Sequence, residues 1–442
     1  MINTALARHS TRVAVRNAAS LLTVLAATPA FAQAAATPAK IDGADTAWMI
    51  SATSLVLLMS IPGLALFYSG MVRKKNVLAT MAQTLAAVAL GSILWMAIGY
   101  SLTFTGDGPV IGTLDRLFLQ GLEMNSISPL AKTIPESVFM LYQMTFAVIT
   151  VALVAGSVAD RMRFSAYLWF GAGWLLLVYV PVAHWIWGGG FLATAGVLDF
   201  AGGAVVHLNA GIGGLVACIM IGSRRGYGTD NLAPYDLSLA VIGTGLLWVG
   251  WFGFNGGSAL GANGRAGFAI LATHLAACAG VLTWMLLEWW DRGKPSVLGM
   301  ISGAVAGLGT ITPASGFVLP WHGIVIGIAA GTVCYWACTK LKTLCRYDDS
   351  LDVFGVHGIG GATGMILAGV FAVAAVGETS GLIEGNGQQV LTQLYGVGVT
   401  LAWSGVATFV LLKVIGFFLP LRVREEDERV GLDVALHGES LQ

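Results

Sequence analysis

The sequence predicts an all-α polytopic membrane protein: eleven transmembrane helices, arranged as a 5+5 inverted repeat followed by a long tilted last helix. Three observations carry this. Of 442 residues, 56% are hydrophobic and only 10% are charged, against about 25% charged in ordinary soluble chains. Basic residues crowd onto alternate loops. An Asp and a His eight residues apart occur twice, five apolar segments apart. The 59 glycines, roughly double the usual share, suit helices that pack closely in lipid. With 23 basic and 23 acidic residues, the chain has no net basic field for nucleic acid. The composition also excludes a disordered chain and a secreted disulfide scaffold.

The N-terminus reads as a cleaved signal peptide over residues 1–32. Arg8, Arg12 and Arg16 form its basic region, 18–27 its short apolar region, and Ala30-Phe31-Ala32 its cleavage site. Residues 33–44 follow as a periplasmic segment. A processed signal implies a Gram-negative source and an inner (plasma) membrane location, with the mature N-terminus outside.

Eleven apolar segments follow in the transporter-like domain 45–420. They run over 46–70, 77–104, 135–158, 165–187, 200–222, 236–259, 266–290, 297–314, 320–340, 353–376 and 391–419. A helix needs about 20 residues to cross a bilayer. The eighth segment is short and Gly-rich, whereas the last is long enough to require tilt. Fifteen Lys and Arg residues fall on one set of alternate loops and four (Lys40, Arg116, Lys132, Arg265) on the other. The fifteen-charge side is therefore read as cytoplasmic, which puts the tail 421–442 inside. Cys218, Cys278, Cys334, Cys338 and Cys345 show no zinc spacing and read as small core residues. No metal or cofactor is expected, and the chain does not read as an enzyme.

The repeat links Asp199–His207, followed by Gly211-Ile-Gly-Gly, to Asp349–His357, followed by Gly358-Ile-Gly-Gly. An odd number of spans between two copies inverts their topology, and such repeats place a site near the midplane. Both histidines fall inside helices at membrane depth, where an ionisable side chain is costly and points to function. Two facing imidazoles can line a narrow pore, take a proton from a substrate, or hold a haem iron. His274 and His322 have no repeat partner and read as satisfied core histidines. Aromatics gather near the outer ends of spans: Tyr142 and Phe146, Trp185 and Trp187, Trp251 and Phe254, with Ser258 beside them. Ring faces attract a desolvated small cation by about 1–2 kcal/mol, although aromatic belts also arise at membrane interfaces without a site.

These motifs, in this order, resemble the ammonium transporter (Amt/Mep/Rh) family, in particular its bacterial Amt branch. The resemblance covers essentially 45–440. It rests on Asp45-Thr-Ala-Trp48, Pro62 to Tyr68, Val72 to Asn76, the two Asp–His segments, Trp251 to Ser258, Thr312-Pro-Ala and Gly431 to Glu439. The family forms homotrimers with a pore in each protomer. By matching position it implies that Trp187, Tyr142 and Ser258 build an outer ammonium site, with Phe146 and Phe254 as the gate beneath. His207 and His357 are then the twin-His pair, Asp199 orders the outer site, and Thr312 and Trp251 line the path. Tyr142 departs from the Phe that many bacterial relatives carry. The resemblance also makes the tail, through Gly431, Asp433, His437 and Glu439, a docking surface for a cytoplasmic PII signal protein. Lys340, Lys342 and Arg346 are candidates for further contacts with it.

Transport is the leading function: recruit ammonium, deprotonate it, and pass ammonia through the twin-His pore into the cytoplasm. The alternatives are an ammonium sensor without net transport, against which the lack of a signalling domain after residue 442 weighs, and a bis-His haem protein of electron transfer.

Overall fold

The computed structural model describes residues 39–441. The expected signal peptide lies outside the described residues. Among the described residues, ten apolar helices are long enough to cross a membrane. They are α1 (Gly43–Met71), α2 (Lys74–Phe104), α3 (Glu136–Val158), α4 (Phe164–Thr194), α5 (Gly203–Ile221), α6 (Leu237–Gly257) and α7 (Gly264–Arg292), then α9 (His322–Cys345), α10 (Phe354–Phe371) and α11 (Gln388–Phe418). The short α8 (Val297–Ile311) completes eleven segments. No ladder of strands occurs among the described residues, only the isolated pairing of Met162 with Arg422.

Local chemistry sets the starts. Asp42, Asp236, Asn263 and Ser296 accept hydrogen bonds from the first amides of α1, α6, α7 and α8, satisfying donors that a helix start leaves free. The last helix runs 31 residues, roughly 46 Å at about 1.5 Å per residue, longer than the apolar core it crosses. Burial sorts the bundle. About 78% of the most apolar stretch of α3 and of α5 is buried, against 22% for α11. The centre is thus built by α3, α4, α5 and α10, with α11 at the edge.

The crossing of α5 and α10 needs glycine. A Cβ on Gly211 would lie 2.2 Å from the Cα of Gly358, and one on Gly361 would lie 2.6 Å from the Gly203 carbonyl oxygen. Only bare backbone lets the two repeats meet this closely.

Polar connections tie together the face that carries the basic loops. The fully buried Arg161 donates to the Gly222 carbonyl (2.7 Å) and the Ser350 hydroxyl (2.7 Å). Asp348 pairs with Arg224 at 2.7 Å. Burial opposes ionisation of Asp348, but the bonds and charge of Arg224, with Arg161 behind it, hold its carboxyl below the usual range.

Two sequence expectations need correction. His274 is exposed on α7, with Trp248 and Phe252 beside it, rather than a core histidine. His322 does fit that reading: it is buried and accepts from the Leu319 amide at 3.3 Å. Cys345 is exposed rather than core, because α9 ends there and Arg346 turns left-handed at φ 55°.

Candidate functional site

On the face opposite the basic loops, Phe146 of α3, Trp187 of α4 and Ser258 after α6 line a vestibule of about 240 Å³, with Gln143 and Phe200 completing its wall. The Trp187 indole donates to the Asp199 carbonyl at 2.9 Å, which fixes its ring. Its centroid lies 5.7 Å from Phe146 at 89°. Ser258 donates to the Phe254 carbonyl at 2.8 Å, and its oxygen, which keeps acceptor capacity, lies 3.3 Å from the Tyr142 hydroxyl. Tyr142 stands beside Ser258 and Phe146 but does not itself line the vestibule. It is fully buried, and its hydroxyl lies 3.0 and 2.8 Å from the Gly253 and Phe254 carbonyls. The Phe254 carbonyl belongs to the last turn of α6, where acceptors lack backbone partners within the helix. Tyr142 therefore braces the wall from behind, 4.9 Å from Phe146.

Phe146 and Phe254 close the vestibule floor, their centroids 4.2 Å apart at 32°. Deeper, a narrow cavity of about 10 Å³, about one water molecule's room, runs past Ile149, Leu153, Leu247 and Trp251 to His207 and His357. Trp251 stacks on His207 at 5.4 Å and donates to Thr312 at 2.9 Å. Thr312 thus anchors the tryptophan and does not line this cavity. The two imidazoles stack at 13°, and their Nδ1 atoms approach to 3.2 Å. A neutral imidazole has one N–H and one lone pair. One ring must therefore donate through Nδ1 while the other accepts, so the pair shares one proton. The Nε2 of His207 has no protein partner.

The pair meets because α5 and α10 both begin deep in the bundle. Asp199 accepts from the amides of Gly202, Gly203, Ala204 and Val205 and so caps α5 in the interior. The first turn is π-wound: the His207 amide reaches back five residues to the Gly202 carbonyl. The turn Phe354–Gly358 is wound likewise, and Asp349 accepts from the Phe354 amide at 2.7 Å. Such turns shift the register of the side chains that follow and are frequent at functional sites.

From His357 the passage opens into a second vestibule of about 300 Å³ on the basic face, lined also by Arg224, Glu288, Tyr335, Lys342 and Asp352. Lys342 is held there by Asp352 (2.8 Å) and the Asp349 carbonyl (2.6 Å), and Lys340 lies 3.4 Å from Asp291. Arg346 is exposed.

The tail folds onto this face. Lys75 donates to the Glu428 and Arg429 carbonyls at 3.0 and 2.6 Å. Asp433 accepts from the Ala79 amide (2.8 Å), and Asn76 accepts from the Leu432 amide (2.8 Å). Gly431, at φ +115°, runs against Lys75, where a Cβ would lie 2.5 Å from that of Lys75. The His437 ring meets Phe164 edge-on at 5.0 Å, and Glu439 is exposed.

Three features escaped sequence reasoning. Gln143 and Phe200 line the outer vestibule. Buried His184 has its Nδ1 2.8 Å from the Thr103 carbonyl and its Nε2 2.6 Å from that of Gly108. Only the HWIW cluster hinted at it, and there the tryptophans dominate.

Fold and site define a polytopic helical membrane protein built around an apolar, histidine-paired passage between two vestibules. A sequence profile for the Ammonium Transporter Family matches residues 47–441. An ammonium transporter of Bacillus subtilis is 47% identical over 394 residues, covering 89% of this chain and 96% of its own. One from Aquifex aeolicus is 46% identical, covering 89% and 92%. Among solved structures, Candida albicans Mep2 superposes with TM-score 0.83 at 37% identity, covering 90% of each chain. A protein described as a sensor Amt protein gives TM-score 0.82 at 28% identity, covering 89% and 98%. The chain belongs to the ammonium transporter family.

Proposed function

We propose that this protein moves ammonium from the face of the aromatic vestibule to the basic face, and that the basic face is cytoplasmic. The observation that carries the reading is the Nδ1–Nδ1 contact of His207 and His357 inside a cavity with room for about one small molecule. Ammonium has a pKa of about 9, in the range of amines, and carrying it intact through an apolar passage is costly. Trp187, Phe146 and Ser258 would recruit the cation by ring faces and one acceptor oxygen. The phenyl gate sheds water. Transfer of a proton to the passage lets neutral ammonia pass between Trp251 and the imidazoles. Potassium has no proton to give, so the same step selects against it. Asp199 acts by holding Trp187 and α5 rather than by touching the ion.

The decisive experiment is an ammonium pulse on proteoliposomes holding the purified chain, read as current and internal pH and compared with potassium. Ammonium-specific flux supports transport. Tight ammonium binding with no flux would favour the second reading, a sensor, which the likeness to a sensor Amt protein keeps in view. A haem Soret band in the purified protein would instead assign the histidines to iron.

We further propose a homotrimer in the inner membrane, after cleavage of residues 1–32, and a PII-type signal protein that docks on the tail. The strapping of Gly431 and Asp433 onto α2 supports a formed docking surface, and Glu439 and Arg346 are exposed. Deleting 424–442 is expected to abolish pull-down of a PII protein. Equal capture by both forms would move docking to the loops.

A further inference from the structure

Arg265 is one of the four basic residues on the sparse side of the sequence, and the proposed transport leaves it without a role. It stands in the first turn of α7. Its guanidinium carbon sits 4.9 Å from the ring centroids of both Phe200 and Phe317, which meet each other edge-on at 5.8 Å. Its Nε donates to the Gly316 carbonyl at 2.7 Å. Phe200 cannot retreat, since its ring already lies 2.2 Å from where a Cβ on Gly316 would be. Phe200 is also a wall of the outer vestibule. A planar cation therefore fills an aromatic cage whose other side faces the cation-recruiting site.

The charge is weakly compensated. No carboxylate lies within ion-pair distance of Arg265 among the described residues. Glu378 acts on it only through space, Asp45 accepts from the Ala262 amide and Asp199 from the start of α5, so none of the three pairs directly with the guanidinium. The vestibule wall itself holds no charged side chain. No contact ion pair therefore neutralises the Arg265 charge beside the vestibule.

We propose that Arg265 is a positioning residue that sets how strongly the outer vestibule holds cations. It occupies the ring faces of Phe200 and Phe317, leaving Trp187 and Phe146 to receive the substrate, and its charge weakens cation capture there. This rests on the outer vestibule being the recruitment site. A like charge at neighbouring side-chain separation shifts binding on the order of threefold to tenfold at low salt, and salt near 1 M screens it within about 3 Å.

The test is initial ammonium uptake by proteoliposomes of the full chain against ammonium concentration, at low and high ionic strength. Arg265→Gln is expected to lower the half-saturating concentration at least threefold at low salt, with the difference collapsing at high salt. Arg265→Lys, which keeps the charge, should restore the wild-type concentration dependence. Arg265→Met replaces the Gln variant if the latter fails to yield folded protein. An unchanged or raised half-saturating concentration in the charge-free variant overturns the proposal. So does a shift shared by the Lys variant and insensitive to salt, which would mark simple packing of the cage. Trp187→Ala separates the two levels. If it leaves the concentration dependence unchanged, the recruitment site itself is misplaced. If it shifts the curve while Arg265→Gln does not, only the role of Arg265 fails.

Discussion

The segments Asp199–His207 and Asp349–His357 share spacing, winding and a glycine-rich sequel, yet the bundle treats them differently. Asp199 engages four amides with both carboxylate oxygens. Asp349 bonds the Phe354 amide, while its Oδ1 has no side-chain or backbone partner. His207 is closed in by Trp251 and Phe254 behind the phenyl gate. His357 is reached from the wide polar vestibule of the basic face. The repeat supplies two equivalent imidazoles, both buried, and the packing around it sets only one of them at the edge of the wider vestibule. A passage built from symmetric halves acquires a direction in this way.

The strongest way to break the comparison is to remove each imidazole in turn. His207→Ala and His357→Ala should each abolish selective ammonium flux, since one proton is shared between two rings, while the purified assemblies stay intact. Flux of either variant at the wild-type rate, with potassium still excluded, would end the proton-relay role.

The caps come next. Asp199→Ala leaves four interior amides without their acceptor and should cost about 2–3 kcal/mol. Asp349→Ala should cost about 1 kcal/mol. Thermal unfolding in detergent measures both, and equal losses would show that the two caps carry the same load.

A smaller effect sharpens the outer half alone. Trp187→Ala should weaken apparent ammonium affinity by roughly 5–30-fold, from about 1–2 kcal/mol of cation–π attraction, with the maximal rate less affected. An unaltered concentration dependence would assign Trp187 to an interfacial belt.

The smallest prediction concerns pH. The Asp348 carboxyl titrates below its unfolded value because Arg224 and Arg161 outweigh its burial. Its stabilisation is present above about pH 4 and fades as pH falls through the lower folded value. Asp348→Asn should flatten the acid side of a melting-temperature profile. An unchanged slope would place the acid sensitivity elsewhere.

Much of this molecule was legible in one dimension. Apolar runs and charge alternation gave eleven segments within a few residues of those observed, and the Asp–His spacing singled out the two rings that meet. The aromatic residues at 146, 187 and 254, which the sequence groups near outer span ends, lie against one another. For Tyr142 the sequence reveals that a hydroxyl exists, not which way it points. Two α6 carbonyls claim it. Thr312 was close to the path in sequence terms, yet its oxygen serves the Trp251 indole.

By itself the sequence determined the class of solvent, the number of spans, their alternation and the pairing of the repeats. These follow from transfer free energy and periodicity, which each segment carries alone. Only the tertiary structure decided the rest. It placed two helix starts at one depth, let glycine backbones touch so that two Nδ1 atoms came to 3.2 Å, and closed Phe200 and Phe317 around Arg265. Those outcomes depend on side-chain directions set by close packing between helices far apart in the chain, and no local pattern encodes them.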